Sequence, residues 1–251
     1  MSTFVSDTAT VFSRELRPVL RNPFSVIFSM LQPLVFLALF TPLLPDVLGS
    51  DGSALQWFVP GIVVMSCLFG TSATGSNLLF EIQTGSHERM LVSPLGRPSL
   101  IVGRALKEIV PMFVQTAIIV VATIPFGFEL HLAGALLGLV ILAVFCVGLG
   151  ALSYTLALAS KNQEWMFWAV QQTLIFPLLL LAGMLLPVDN GPAWLRTAAD
   201  FNPLTYVVDA ERALFNGEIL SGTVAGGAVA AVVVAALGLL VGTRAMRRVS
   251  A

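Results

Sequence analysis

Charge is what this sequence has least of. Of its 251 residues only 11% are Asp, Glu, Lys or Arg, while 57% are hydrophobic. A soluble domain typically carries about 25% charged residues. So little charge excludes a water-facing globule and implies that lipid is the solvent. The net charge of -1 and a pI near 6.1 leave no basic surface for nucleic acid. Cysteine is nearly absent as well: Cys67 and Cys146 each lie in a long apolar run, without metal-ligand spacing. They read as small, buried, free thiols. Catalytic motifs are missing too. The only lysines, Lys107 and Lys161, follow Leu106 and Ser160, so no GxxxxGK[ST] loop exists to hold ATP. His87-Glu88 opens a zinc-protease pattern, but Leu91 stands where its second histidine belongs. Neither GxSxG nor paired intramembrane aspartates occur. The chain is therefore expected to bind no metal or cofactor and to be no enzyme.

The positions that lack charge carry the main signal. Residues 22–45, 52–80, 109–128, 132–160, 165–188 and 219–243 contain no Asp, Glu, Lys, Arg or His. Each run is long enough for the roughly 20 residues that carry a helix across a bilayer core. A charge at the centre of a span costs about 2.5 to 3.5 kcal/mol, and lipid leaves helices as the way to satisfy the backbone. Six transmembrane helices follow. The first run exceeds the apolar core of a secretory signal and no small-residue cleavage site follows it, so it reads as a span. Eleven of the thirteen basic residues fall on one face: Arg14, Arg17, Arg21, Arg89, Arg97, Arg104, Lys107, Lys161, Arg244, Arg247 and Arg248. Basic residues near span ends stay cytoplasmic, which places both termini inside.

Three segments do not span. In residues 1–21, Phe4, Val5, Ala9, Phe12, Leu16, Val19 and Leu20 form an apolar stripe at helical spacing beside arginines, which predicts an amphipathic helix in the membrane interface. In the cytoplasmic loop 81–108, Ser86 is a candidate N-cap for a short helix that Ser93-Pro94 breaks. An exposed Met90 and Leu91 on that helix would suit docking to another protein. The outer segment 186–220 mixes Trp194, Phe201, Leu204 and Tyr206 with acids, and predicts short helices at or dipping into the interface.

Within the runs, polarity is neutral. Gln32, Asn77, Gln115, Gln171 and Gln172 should point into the bundle or along a substrate path, because amides facing lipid are costly. Interhelical hydrogen bonding alone is the plainer reading of the same five. No ionisable group lies inside any run, which argues against a proton-coupled carrier. A sodium-coupled carrier stays open, although no internal repeat is visible.

Together the segments carry a family resemblance. GSHERMLVSPLGRPSLIVGR at 85–104 resembles the cytoplasmic loop of type-2 ABC permeases. The stretch at 185–217 is similar to their outer segment, with Pro192-x-Trp194, Asn202-Pro203-Leu204-Thr205-Tyr206 and Asp209-Ala210-x-Arg212 in order. The resemblance covers residues 1–251 as one transmembrane domain, and its closest flavour is the daunorubicin-resistance type of drug exporter. It implies an all-α integral membrane fold of six transmembrane helices, with an N-terminal interfacial helix, a cytoplasmic coupling helix and extracellular re-entrant helices before the last span. It implies that His87, Glu88, Arg89, Met90 and Leu91 couple to a separate nucleotide-binding subunit, which holds the ATP and magnesium. It further implies an outer gate around Pro203, Tyr206, Asp209 and Arg212, a second permease copy, and a path along spans one, two and five. The expected cargo is a hydrophobic drug, antibiotic or lipid-like molecule, with polysaccharide or lipid-linked cargo as the alternative and a secondary carrier as the runner-up.

Overall fold

A computed structural model describes residues 4–21, 24–43, 54–92, 95–188 and 191–248. These are mostly helical, with no strand among the described residues. In chain order the helices are α1 (Phe4–Arg21), α2 (Phe24–Phe40), α3 (Ala54–Gln83), α4 (Ser86–Leu91), α5 (Arg97–Lys107) and α6 (Ile109–Thr123). There follow α7 (Leu132–Ala159), α8 (Glu164–Leu181), α9 (Ala193–Asp200), α10 (Pro203–Phe215) and α11 (Gly222–Arg248). Five stretches are long and apolar enough to cross a membrane: Ala54–Gln83, Arg97–Phe126, Leu132–Ala159, Glu164–Leu181 and Gly222–Met246. They carry lipid-facing hydrophobics on their outer surfaces, such as Val121, Leu180 and Leu240.

The sequence predicts six spans and the structure has five of full length. The run 22–45 yields α2, only 17 residues, with Pro33 inside it and a short 3-10 turn (Thr41–Leu43, containing Pro42) at its end. Residues 22–23 and 44–53 lie outside the described residues. The run 165–188 also overshoots its helix. α8 stops at Leu181, and Gly183 turns the chain with φ +64, a left-handed value open to glycine at no steric cost. The loop 81–108 is shorter than the charge pattern indicates, because α5 runs almost directly into α6. Glu108 between them keeps helical angles of -65 and -19, which makes Arg97–Phe126 one long rod.

Packing is built on small residues. Lipid removes the hydrophobic drive between helices, so close van der Waals contact must supply the adhesion. α7 is the centre, with Leu142, Phe145, Ala151 and Tyr154 buried against α3, α5 and α11. At the α7–α11 crossing a Cβ on Gly148 would come within 2.7 Å of Ala235 and Val234 backbone, so only glycine fits. On α10, Val207, Val208, Leu214 and Phe215 are buried, and α10 is wedged between Gly134 and Gly138 of α7 and Gly227 of α11. The predicted short outer helices are thus α9 and α10. α9 keeps Trp194 at the surface, and α10 is part of the core.

α1 uses two faces. Phe4, Val5 and Leu20 of the predicted apolar stripe are exposed, whereas Asp7, Thr8 and Val11 are buried on α5. Asp7 accepts from the Gly96 backbone N–H at 2.9 Å, and Gly103 leaves room for the Val11 side chain. The exposed apolar stripe is legible in the sequence. The polar, protein-directed face is not.

Candidate functional site

At the end of the bundle that holds α1, α4 and α5, the short helix α4 is fastened by arginines. Met90 is buried, 5% exposed, which corrects the expectation of an exposed docking knob at that position. Its thioether accepts from Arg14 of α1 and from Arg104 of α5. One buried guanidinium, Arg104, and one exposed, Arg14, hold the soft sulfur inward. Arg89 points out to solvent. His87, Glu88 and Leu91 belong to the same helix by backbone, but their side chains lie outside the described residues.

Arg104 is the hub of this end. Its side chain is 4% exposed and pairs with Glu81 at the end of α3 and with Glu15 of α1 at 3.4 Å. Its guanidinium also stacks over the Tyr154 ring of α7, 5.2 Å from the centroid. A buried cation is stable only when it is paired on several sides. Arg104 meets that condition by drawing α1, α3, α4 and α7 onto one point. Beside it, Lys107 and Glu108 form an ion pair at 2.7 Å, and Thr74 donates to Glu108 at 2.5 Å. These charges fall just outside the charge-free run that begins at residue 109, yet they are buried in the rod Arg97–Phe126.

A cavity of about 130 Å³ opens next to this pair, between α3, α6 and α7. Asn77, Lys107, Glu108, Thr71 and Gln115 give it a polar lining, and Cys67, Met112 and Cys146 a soft one. Of the five amides singled out, Asn77 and Gln115 therefore share one site. Gln171 is buried on α8, and its side-chain carbonyl oxygen has no partner among the described residues. Gln32 and Gln172 lie on the outer surface of the single chain. The five do not converge within one copy.

At the other end, the Asn202–Tyr206 motif is an elbow. Asn202 caps α10 by accepting from the Leu204 N–H at 3.1 Å, and its amide donates to the Leu178 carbonyl at 2.8 Å. Pro203 occupies the first turn, where its missing N–H costs nothing. The Tyr206 hydroxyl donates back to the Asp200 carbonyl at 2.8 Å. Arg212 then anchors α10. It lies over the Trp57 ring at 3.9 Å and donates to the carbonyls of Gly183 at 2.6 Å and Trp57 at 3.2 Å. Asp209 accepts from it at 3.4 Å. The ends of α3 and α8 at this side are thereby tied to α10, while Gln56 and His131 bond the Phe215 carbonyl at the far end of α10.

A helical membrane bundle with a short helix fastened at one end and a buried elbow at the other matches a known family. The family model for the ABC-2 type transporter matches residues 7–216. The chain belongs to that family. Curated ABC-2 relatives include the daunorubicin resistance ABC transporter permease protein DrrB1 of Streptomyces coeruleorubidus, 27% identical over 86% of this chain and 77% of its own length. The putative transport permease ycf38 of Cyanophora paradoxa is 29% identical over 85% of this chain and 75% of its own. The probable multidrug ABC transporter permease YbhR of Escherichia coli K12 is 27% identical over 64% and 44%. This chain is accordingly a multi-pass permease component of an ABC-2 type transporter.

Within that ABC-2 frame, the candidate residues that sequence reasoning missed are the paired charges beside α4. Glu15, Glu81 and Arg104 are spread over 90 positions and read singly as loop charges. A signal did exist: Glu81 and Arg104 bracket the short helix on the two rods that flank it. Glu211 was missed as well. It is 0% exposed, and neither carboxyl oxygen has a partner among the described residues.

Proposed function

We propose that this chain is the transmembrane half of an ATP-driven exporter, energised by a separate nucleotide-binding subunit and working with a second permease copy. Six spans are part of the reading, with α2 as the first. Its 17 residues rise roughly 26 Å at 1.5 Å per residue, and a further turn brings that close to a bilayer core of about 30 Å. The arginine-rich end is cytoplasmic, so both termini lie inside.

The observation that carries the coupling role is the seating of α4. Arg89 faces solvent, while Met90 faces Arg14 and Arg104. A subunit that grips α4 from outside moves a helix whose inner face is fixed to α1 and α5. Through Arg104 that displacement reaches α3 and α7. ATP binding favours one arrangement of the partner subunits and so re-biases the rods. At the outer end, Pro203, Tyr206, Asp209 and Arg212 hold α10 as the gate element. The names of the relatives, a daunorubicin resistance permease and a multidrug permease, favour a hydrophobic drug-like or antibiotic cargo. The exposed amides Gln32 and Gln172 would line the path between two copies, with Asn77, Gln115 and Gln171 behind them.

Replacing Arg89 with Glu should abolish co-purification of the nucleotide-binding subunit at unchanged membrane insertion. An undiminished complex with full transport would overturn the assignment of α4.

A further inference from the structure

Glu211 points from α10 at the backbone of α7. A Cβ on Gly138 would overlap its carboxyl, and neither carboxyl oxygen has a partner among the described residues. The elements packed against α10 are α3, α7, α8, α9 and α11, and they bring it no counter-charge. α7 carries no charged residue. α3 and α8 carry one each, Glu81 and Glu164, and α11 has none before Arg244, all toward the α4 end. Arg196 and Asp200 of α9 are exposed, as are Glu129 and Glu218 in the flanking loops. On α10 itself Arg212 is turned to Trp57, Gly183 and Asp209, while His131 is turned to the Phe215 carbonyl. A neutral acid is tolerated in such a place and a carboxylate is not. The helix that carries it is hinged at both ends, at the Asn202-Pro203 elbow and at Gly217, whose φ is +89.

We propose that Glu211 is a proton-binding latch: its protonated carboxyl keeps α10 seated between α7 and α11, and loss of that proton releases α10 to carry the carboxylate out to water. The step is a single acid dissociation with no co-reactant. Burial holds the seated carboxyl up at about 8, against 4.5 once it is free. Seating is therefore complete at low pH and is lost as pH rises. Between those two values the ratio of seated to unseated chains falls about tenfold per pH unit, and it is flat on either side. The consequence for export rests on the reading of α10 as the gate element: an alkaline outer solution loosens the gate.

The test places a cysteine at Val208, a buried position of α10, in a full-length chain that also carries Cys67→Ala and Cys146→Ala. Its modification by a charged methanethiosulfonate reagent is followed from pH 5 to pH 8, with Glu211 present and with Glu211→Gln. Dividing one rate by the other removes the pH dependence of the thiol itself. The ratio should rise at least 100-fold over that range. A flat ratio would overturn the latch, whatever α10 does in export. Should the cysteine chain fail to fold, hydrogen exchange over residues 203–215 in the natural and Glu211→Gln chains, divided in the same way, decides by the same slope. Neither readout needs a nucleotide-binding subunit. A rising ratio with cargo export indifferent to outer pH therefore keeps the latch and removes the gate role of α10.

Discussion

Arg104 and Glu211 mark the two ways in which this bundle tolerates buried charge. Arg104 is surrounded by Glu15, Glu81 and the Tyr154 ring. Arg104→Ala leaves two carboxylates near the interior without their cation, and breaking a buried pair costs about 3 to 5 kcal/mol. A large fall in the thermal midpoint of the detergent-solubilised chain is expected, and Arg104→Lys should recover only part of it, because an ammonium cannot form the planar fork. Glu211 is the opposite case. It sits on α10, outside the five long stretches, and burial pushes its carboxyl from 4.5 up to about 8. Between those values the folded chain holds a proton that the unfolded chain has released. Stability from this group therefore falls as pH rises through that window and is flat above it. Glu211→Gln should match the natural chain at pH 4.5 and exceed it by a few kcal/mol at pH 8. A difference of the same size at both values would show that Glu211 is ionised in the fold.

At the scale of elements, packing is decided where glycine lets backbones meet. A Cβ at Gly134 would overlap the Leu214 carbonyl, and one at Gly138 the Glu211 carboxyl. Gly134→Val should therefore unseat α10 without disturbing the α7–α11 crossing. Cysteine pairs placed across each contact would read this out, the first losing its cross-link and the second keeping it. Arg212→Lys should loosen the same helix more gently, because the stack on Trp57 contributes on the order of 0.5 to 2 kcal/mol. The sequence reveals the elements better than their seating. Long charge-free runs locate α3, α6, α7, α8 and α11, since burying a charge in lipid is expensive. They do not locate the ends: nothing in a run of apolar residues says that α8 stops at Leu181, because Gly183 is one small residue among many. The Asn202–Tyr206 motif was visible as a pattern, but its meaning as a cap and elbow needed the Leu178 and Asp200 carbonyls. Met90 looked like a knob because a short helix in a loop gives no hint that two arginines, one 76 positions away, turn its side chain inward.

For the whole molecule, the features group by end. Paired charges fasten the α4 end, and at the other end α10 is held by one arginine and a row of glycines. Between them lies the bundle of an ABC-2 type permease, which in the proposed reading is driven by a separate nucleotide-binding subunit. The most direct measurement is ATP hydrolysis by the affinity-tagged chain purified from its own membranes, compared with the same chain stripped of companions and with the Arg89→Glu variant. The account predicts hydrolysis only in the unstripped natural sample, with a nucleotide-binding subunit present at one copy per chain. Hydrolysis by the stripped chain, or cargo export in cells that lack any such subunit, would contradict it.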